Sequence, residues 1–561
     1  AESTLPPSCL CRRQDTMKNL SSLLLVLATT SFFLCCTVKS FSPVASSTAT
    51  LTRLHGQQRE DDSDGTLLRP AGPSFLEALL GIGLSGSPWE YMLKLPPKGY
   101  SGIVPVDLKF LGKYNFLLSP EAVRAATVEE QSILPRRFSV SLFEQLELDK
   151  GIVYEQGERH KRNKRLCIPS FEQGQSMDSF VQATKAELDD LCIALEREHD
   201  IDLYAEMRRS ALNVVLDVSF GLGKEGASRF EKADELSATI AEYLERIVAL
   251  ANEIPPLWQI APRLSGNYIR VTDILLPKLR SLVAEVIASR RLETLAEKDR
   301  RSKADLLGVL VDQLGDNDIR SILFDVVIAG SDTTASTTTA ALYILHQPDN
   351  KEWLAKARKE AEETNAGKDI PLDQLRSAMP ITIGIAREIL RLYPPVPFVG
   401  RTATESGSLL NGQYPVQPGD TFCFSPWFLG RDPNQWGRDA ATFNPQRWLD
   451  DSINGGAKSQ FAWLPFGAGG RGCLGTRLGL TEVTLGIARL VTNFEFDFET
   501  TGPLPVKYDL TLNLDGVMKC KIKTRSGEGA GSFTISSENK KPQHQQDMQH
   551  HQKEEAATIK K

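Results

Sequence analysis

Residues 466–475 read Phe466-Gly467-Ala468-Gly469-Gly470-Arg471-Gly472-Cys473-Leu474-Gly475. A backbone this rich in residues without a Cβ can turn tightly and approach a flat partner closely. N–H groups near Leu474 and Gly475 are placed to donate to the cysteine sulfur and to temper a thiolate that would otherwise be too basic. The next segment, Leu478 to Ala488, carries helical periodicity. A helix that starts at the cysteine favours its anionic form. A lone cysteine is more often a small apolar core residue. Yet Phe466, Gly469, Arg471, Cys473 and Gly475 at this spacing arise from composition on the order of once in several million windows.

Upstream of this loop the chain carries a long helical pattern. Asp316 to His346 supplies a helical run stopped by Pro348. Inside it lies Ala329-Gly330-Ser331-Asp332-Thr333-Thr334. Small and hydroxyl residues in a helix commonly serve packing or a bend, because Ser and Thr compete for backbone carbonyls. Further on, Glu388 and Arg391 sit three apart on one helix face. Such pairs are common as solvated couples worth little, but this one lies in an apolar segment just before Tyr393-Pro394-Pro395, where surface charge is out of place. Phe443-Asn444-Pro445-Gln446-Arg447-Trp448 brings a second Arg.

Together these elements resemble the cytochrome P-450 superfamily of haem-thiolate monooxygenases, over roughly Leu67 to Arg525. The resemblance implies a mainly α fold with a small β portion, a triangular helical prism holding haem b (iron protoporphyrin IX) between the long distal helix and the cysteine loop. It implies Cys473 as the axial iron ligand, Phe466 packed beneath the ring, and Gly467 and Gly475 shaping the loop. Arg471 and Arg401 would face the haem propionates. In Gly157 to Arg165 the usual Trp and Arg, four apart, are replaced by His160 and Lys164. Both can still donate to a propionate, although Lys is a point charge rather than a fork. Glu388, Arg391 and Arg447 would form a buried ion network serving folding and haem retention. On the distal side Gly330 would open space, Thr333 would position water and dioxygen, and Asp332 would link to a proton source. Val396, Pro397, Phe398 and Val399 would form an apolar wall of the substrate pocket.

The implied activity is reductive use of dioxygen to hydroxylate a hydrophobic small molecule. The layout resembles the plastid carotenoid-hydroxylase branch, which makes a carotenoid the first substrate expectation, with fatty acids and sterols as rivals. Neither a Gly-x-Gly-x-x-Gly strand-to-helix unit nor an iron–sulfur Cys spacing is found. Electrons are therefore expected from a separate donor, a ferredoxin or a flavoprotein reductase. Two other readings stay open: a haem-thiolate isomerase or dehydratase, whose members lack the distal Thr and lengthen the cysteine loop, and a haem carrier or gas sensor.

Composition narrows the classes. The 561 residues, 41% hydrophobic, can bury a sizeable core. Sixty-five Lys and Arg against 71 Asp and Glu give a net charge of −6, which excludes the basic field suited to nucleic acid. Nine cysteines, isolated beyond the N-terminal region and odd in number, argue against a disulfide framework or a structural zinc site. Met17 is the expected start, followed by Lys18, an apolar run from Leu20 to Cys36, and Val38-Lys39-Ser40. That is the layout of a signal peptide, or of a single N-terminal anchor in the endoplasmic reticulum membrane. A cut before Phe41 would leave Phe41-Ser42-Pro43 and a Ser- and Thr-rich, acid-free stretch to Gln58, similar to the bipartite presequence of algae with secondary plastids. The expected organisation is a leader and linker over 1–66, an enzyme domain over 67–525 and a disordered tail over 526–561. A membrane-associated monomer is expected.

Overall fold

The computed structural model describes residues 72–525, apart from 86, 96–101, 110–112, 140, 147, 173, 223–231, 252, 254–256, 294–304, 450–454, 509–510 and 515–517. The leader, its apolar run, the linker and the C-terminal tail lie outside the described residues. Among the described residues no helix is long and apolar enough to cross a membrane.

The longer helices are α1 (Phe75–Ser85), α2 (Gly157–Glu172), α3 (Gly174–Leu195), α4 (Leu203–Phe220), α5 (Ala233–Ala251), α6 (Leu276–Arg291), α7 (Asp316–Leu345), α8 (Lys351–Glu363), α9 (Pro380–Leu392) and α10 (Thr476–Asn493). Local chemistry sets several boundaries. Asp202 caps α4 by accepting from the Tyr204 N–H at 3.1 Å, and Gly221 ends it in the left-handed region at φ 68°. α7 has 30 residues and stops at His346, before the extended Gln347 and Pro348.

From Thr334 to Leu345, α7 is buried all round, so it is a core helix. Its small residues decide how closely neighbours approach. A Cβ at Gly330 would lie 2.8 Å from Val215 Cγ2 of α4, and one at Gly486 of α10 would lie 3.3 Å from Thr338 Cγ2. Several α7 hydroxyls are satisfied inside the helix: Ser331 donates to Val327 O at 2.9 Å, Thr333 to Ala329 O at 2.6 Å and Thr337 to Thr333 O at 2.7 Å. Most of the Ser and Thr run is therefore buried without unmade hydrogen bonds, Thr339 Oγ1 being the exception.

The β portion is small. Its strands are β1 (Ile103–Asp107), β2 (Lys113–Leu117), β3 (Arg136–Arg137), β4 (Asp200–Asp202), β5 (Val399–Thr402), β6 (Thr421–Phe424), β7 (Phe494–Phe498) and β8 (Lys519–Thr524), with two further short pairs. β1 and β2 form a hairpin, an antiparallel pair with Val104 opposite Phe116. They extend into a five-stranded sheet ordered β1-β2-β6-β5-β3, in which β2 and β6 run parallel. The edge pair β3 and β5 sets Arg137 opposite Arg401.

Candidate active site

The cysteine loop is held by its own backbone. The Cys473 N–H donates to Phe466 O at 2.8 Å, and the Gly472 N–H to Gly469 O at 3.0 Å. Gly469 is required twice over: its φ is +65°, and a Cβ there would fall 2.0 Å from Thr127 O. The Thr476 hydroxyl donates to Cys473 O at 3.0 Å, and α10 starts at that Thr. Burial pushes the Cys473 thiol up, while the Gly475 N–H, Arg137 and Lys164 pull it down. Burial outweighs these, so the thiol lies above its ordinary value.

The loop faces α7 across a cavity that is partly open to solvent. Cys473, Phe466, Gly467, Arg471, Gly475, Gly330, Thr333, Val396 and Val399 all line it. The Thr333 hydroxyl hydrogen is spent on Ala329, so that side chain offers its lone pairs to the cavity. One expectation is corrected. Pro397 and Phe398 do not line the cavity: Phe398 turns the other way and meets Phe116 edge-on at 5.9 Å, and the Pro397 carbonyl accepts from the Ser425 hydroxyl at 2.7 Å. Val396 lies in a bend and the strand begins only at Val399, so no regular alternation holds across 396–399. Asp332 does not line the cavity either. It is buried and accepts from Arg208 Nε of α4 at 2.9 Å.

Five basic side chains converge on one side of the cavity: Arg137, His160, Lys164, Arg401 and Arg471. Lys164 donates to Gly470 O at 2.8 Å and Gly472 O at 3.1 Å, and Arg137 Nη2 to Arg471 O at 2.6 Å. Burial and mutual repulsion press their pKa values down. Burial and then Arg137 lower Arg471 to about 10 and Arg401 to about 9. His160 falls to about 4, through burial and then Arg471 and Lys164, so at neutral pH it is an uncharged N–H donor. Arg137 Nε and Arg471 Nη1 are buried with no protein acceptor among the described residues. A group of buried cations with unspent donors matches a ligand carrying carboxylates. Haem b fits on both counts: a thiol for the iron, and this arc for the two propionates. Arg137 carried no signal in the sequence, because strand pairing brings it to Arg401 from far along the chain.

The second charged cluster is self-contained. Glu388 and Arg391, 0% and 1% exposed, make a two-pronged pair at 2.7 and 2.8 Å. Arg391 also donates to the carbonyls of Gly430 at 2.5 Å, Thr442 at 3.0 Å and Ala440. Glu388 accepts from the Asn444 N–H at 2.8 Å and the Trp448 indole at 3.0 Å. Arg447 lies 3.6 Å from Glu388 and donates to Trp436 O and Asp439 O.

Two acids facing the cavity escaped the sequence reading. Glu482 of α10 is pushed up to about 8 by burial and by Glu187, against a hydrogen bond from Thr334. Asp325 of α7 is pushed up to about 7, chiefly by burial. Its signal was available in the helical spacing: Asp325, Ala329 and Thr333 stand four apart and share one face.

A cavity with one reachable thiol beneath a long helix, rimmed by cations awaiting carboxylates, defines a haem-thiolate protein. The family model for cytochrome P450 matches residues 70–518, and the chain belongs to that family. It is a haem-dependent monooxygenase. It is 27% identical over 468 residues to Cytochrome P450 monooxygenase 91 of Postia placenta, covering 73% of this chain and 84% of the relative. It is 29% identical over 341 residues to Cytochrome P450 78A11 of Oryza sativa (57% and 59%). With the Protein LUTEIN DEFICIENT 5, chloroplastic, of Arabidopsis thaliana it shares 26% over 374 residues (64% and 61%). The chain spans about three-fifths of the length of these last two.

Proposed function

We propose that this monooxygenase hydroxylates an apolar small molecule, a carotenoid before a fatty acid or a sterol, inside a plastid and with electrons from a separate ferredoxin or flavoprotein reductase. The observation that carries the proposal is the single cavity joining Cys473, the cationic arc, Thr333 and the apolar Val396 and Val399. Similarity to the Protein LUTEIN DEFICIENT 5, chloroplastic, supports the substrate class and the compartment. The Phe41-Ser42-Pro43 leader points the same way.

Cys473 would ligate the iron, while Arg137, His160, Lys164, Arg401 and Arg471 would hold the propionates. When bound, thiolate-ligated haem supplies reductive activation of dioxygen and transfer of one oxygen atom to a C–H bond. Thr333 accepts a hydrogen bond through its free lone pairs and so holds a proton-bearing species in the cavity. Asp332, tied to Arg208, lies on the α4 side of α7 and positions a proton route rather than touching substrate. Val396 and Val399 exclude water.

The test uses the full chain loaded with haem. Reduction under carbon monoxide should give a red-shifted Soret band that disappears in Cys473→His. Incubation with a ferredoxin system and, separately, a carotene, a monohydroxylated carotenoid, a long-chain fatty acid and a sterol should yield a hydroxylated product from a carotenoid. Oxidation of the fatty acid or sterol alone would overturn the substrate class. A fluorescent fusion of residues 17–66 should enter a plastid, and a reticular pattern would overturn that location.

A further inference from the structure

Lys164 stands among the cations that face the cavity, but its ammonium group is engaged with the cysteine loop. Nζ donates to Gly470 O at 2.8 Å and to Gly472 O at 3.1 Å. Between those two, the Arg471 carbonyl accepts from Arg137 Nη2 at 2.6 Å. Three consecutive carbonyls before Cys473 therefore end on cations brought by other elements, Lys164 by α2 and Arg137 by β3. The N–H groups of the same stretch are spent elsewhere: Gly472 donates to Gly469 O, Cys473 to Phe466 O and Gly470 to Gln131 Oε1. The carbonyls of Gly470 and Gly472 converge on one point, where their partial negative charges repel unless a positive group sits between them. A compact ammonium with three diverging donors suits that point, and two spent on the loop leave one for a propionate. Binding a carboxylate alone would not require two of three donors to go to neutral carbonyls.

We infer that Lys164 is a positioning residue for the axial ligand: it pins the carbonyls on either side of Arg471 to α2, and so fixes the Cys473 sulfur and keeps a positive charge beside it. This rests on Cys473 being the iron ligand of the proposed function. Arg137 and Lys164 are also the cations that draw Cys473 towards its anionic form, so the pair that grips the loop is the pair that the sulfur feels. Thr476 steadies the other side of the ligand through the Cys473 carbonyl. With its third donor on a propionate, one ammonium group would tie the edge of the haem to the loop that holds its iron.

The haem-loaded full chain would be compared with Lys164→Met by the rate of haem transfer to an excess of apo-globin, by reduction potential, and by how long the red-shifted band lasts after reduction under carbon monoxide. Conversion of that band to the ordinary one should run about tenfold faster in the variant, as the loss of one charge-assisted hydrogen bond gives. The potential should become more negative, because an electron added at the iron no longer has that cation nearby. Haem transfer should change less than in Arg471→Leu. Lys164→Arg keeps the charge and should restore both band and potential, whereas Lys164→Gln keeps a donor without the charge and should slow the conversion again but leave the potential low. Wild-type band lifetime and potential in Lys164→Met overturn the inference. So does a variant that loses haem as fast as Arg471→Leu with its potential unmoved, which makes Lys164 a propionate holder alone. If Lys164→Met fails to load haem, Lys164→Gln takes its place with the potential as the deciding reading. A wild type without the red-shifted band would instead defeat the ligand assignment, so the two failures are distinguishable.

Discussion

Two clusters of buried charge are built from similar side chains and end differently. Around Glu388 each charge meets a protein partner: the two arginines face one carboxylate, and, Arg447 Nε apart, the surplus guanidinium donors reach backbone carbonyls. Around Arg471 cations meet cations, donors are left over, and every shifted basic group is pressed towards its neutral form. The first cluster is finished when the chain folds. The second is finished only by an anion. Charge satisfaction, more than charge itself, separates a group that holds the fold from one that holds a ligand.

The largest effect should come from damaging the finished cluster. Glu388→Ala leaves Arg391 buried and unpaired and should cost about 3–5 kcal/mol of stability, read as a drop in urea midpoint with unchanged slope. The unfinished cluster should respond in the opposite sense. Arg137→Leu removes a repelling cation, so the haem-free protein should be no less stable. Its haem affinity should fall by about 10- to 100-fold, the worth of one or two charge-assisted hydrogen bonds. Equal loss of fold stability and haem affinity in that variant would erase the distinction. The smallest effect concerns pH. His160 titrates near 4 in the folded chain, against an ordinary 6.5. Between these values the unfolded chain binds the extra proton, so the contribution of His160 is fully present above about pH 6.5 and is lost as pH falls towards 4. His160→Gln should flatten that acid limb of the haem-free protein. Haem loading should shrink the difference, because a propionate beside His160 would raise its pKa again.

Features that depend on neighbours in sequence were legible. α7 occupies the run expected from Asp316, and His160 and Lys164, one turn apart on α2, do face the cavity. Features made by distant pairing were not. Arg137 lies in a two-residue strand with no pattern of its own, and its partner Arg401 is reached only through the sheet. The wall over the cavity was half legible. Val396 and Val399 face it, but Phe398 is drawn into the cluster around Phe116, and no local periodicity distinguishes the two directions. Asp325 shows a different gap: its helical phase was visible, but its value comes from the 151–153 segment folding over it.

The groups poised for haem are scattered from residue 137 to residue 473, and the last of them is the thiol itself. During synthesis, therefore, a growing chain has five helices that line the cavity, α2, α3, α4, α7 and α9, and most of its sheet before it has anything to grip iron. Cofactor capture falls at the end of assembly, after nearly nine-tenths of the enzyme domain has left the ribosome. A chain cut short before Cys473 would carry an arc of mutually repelling cations with no thiol beside it.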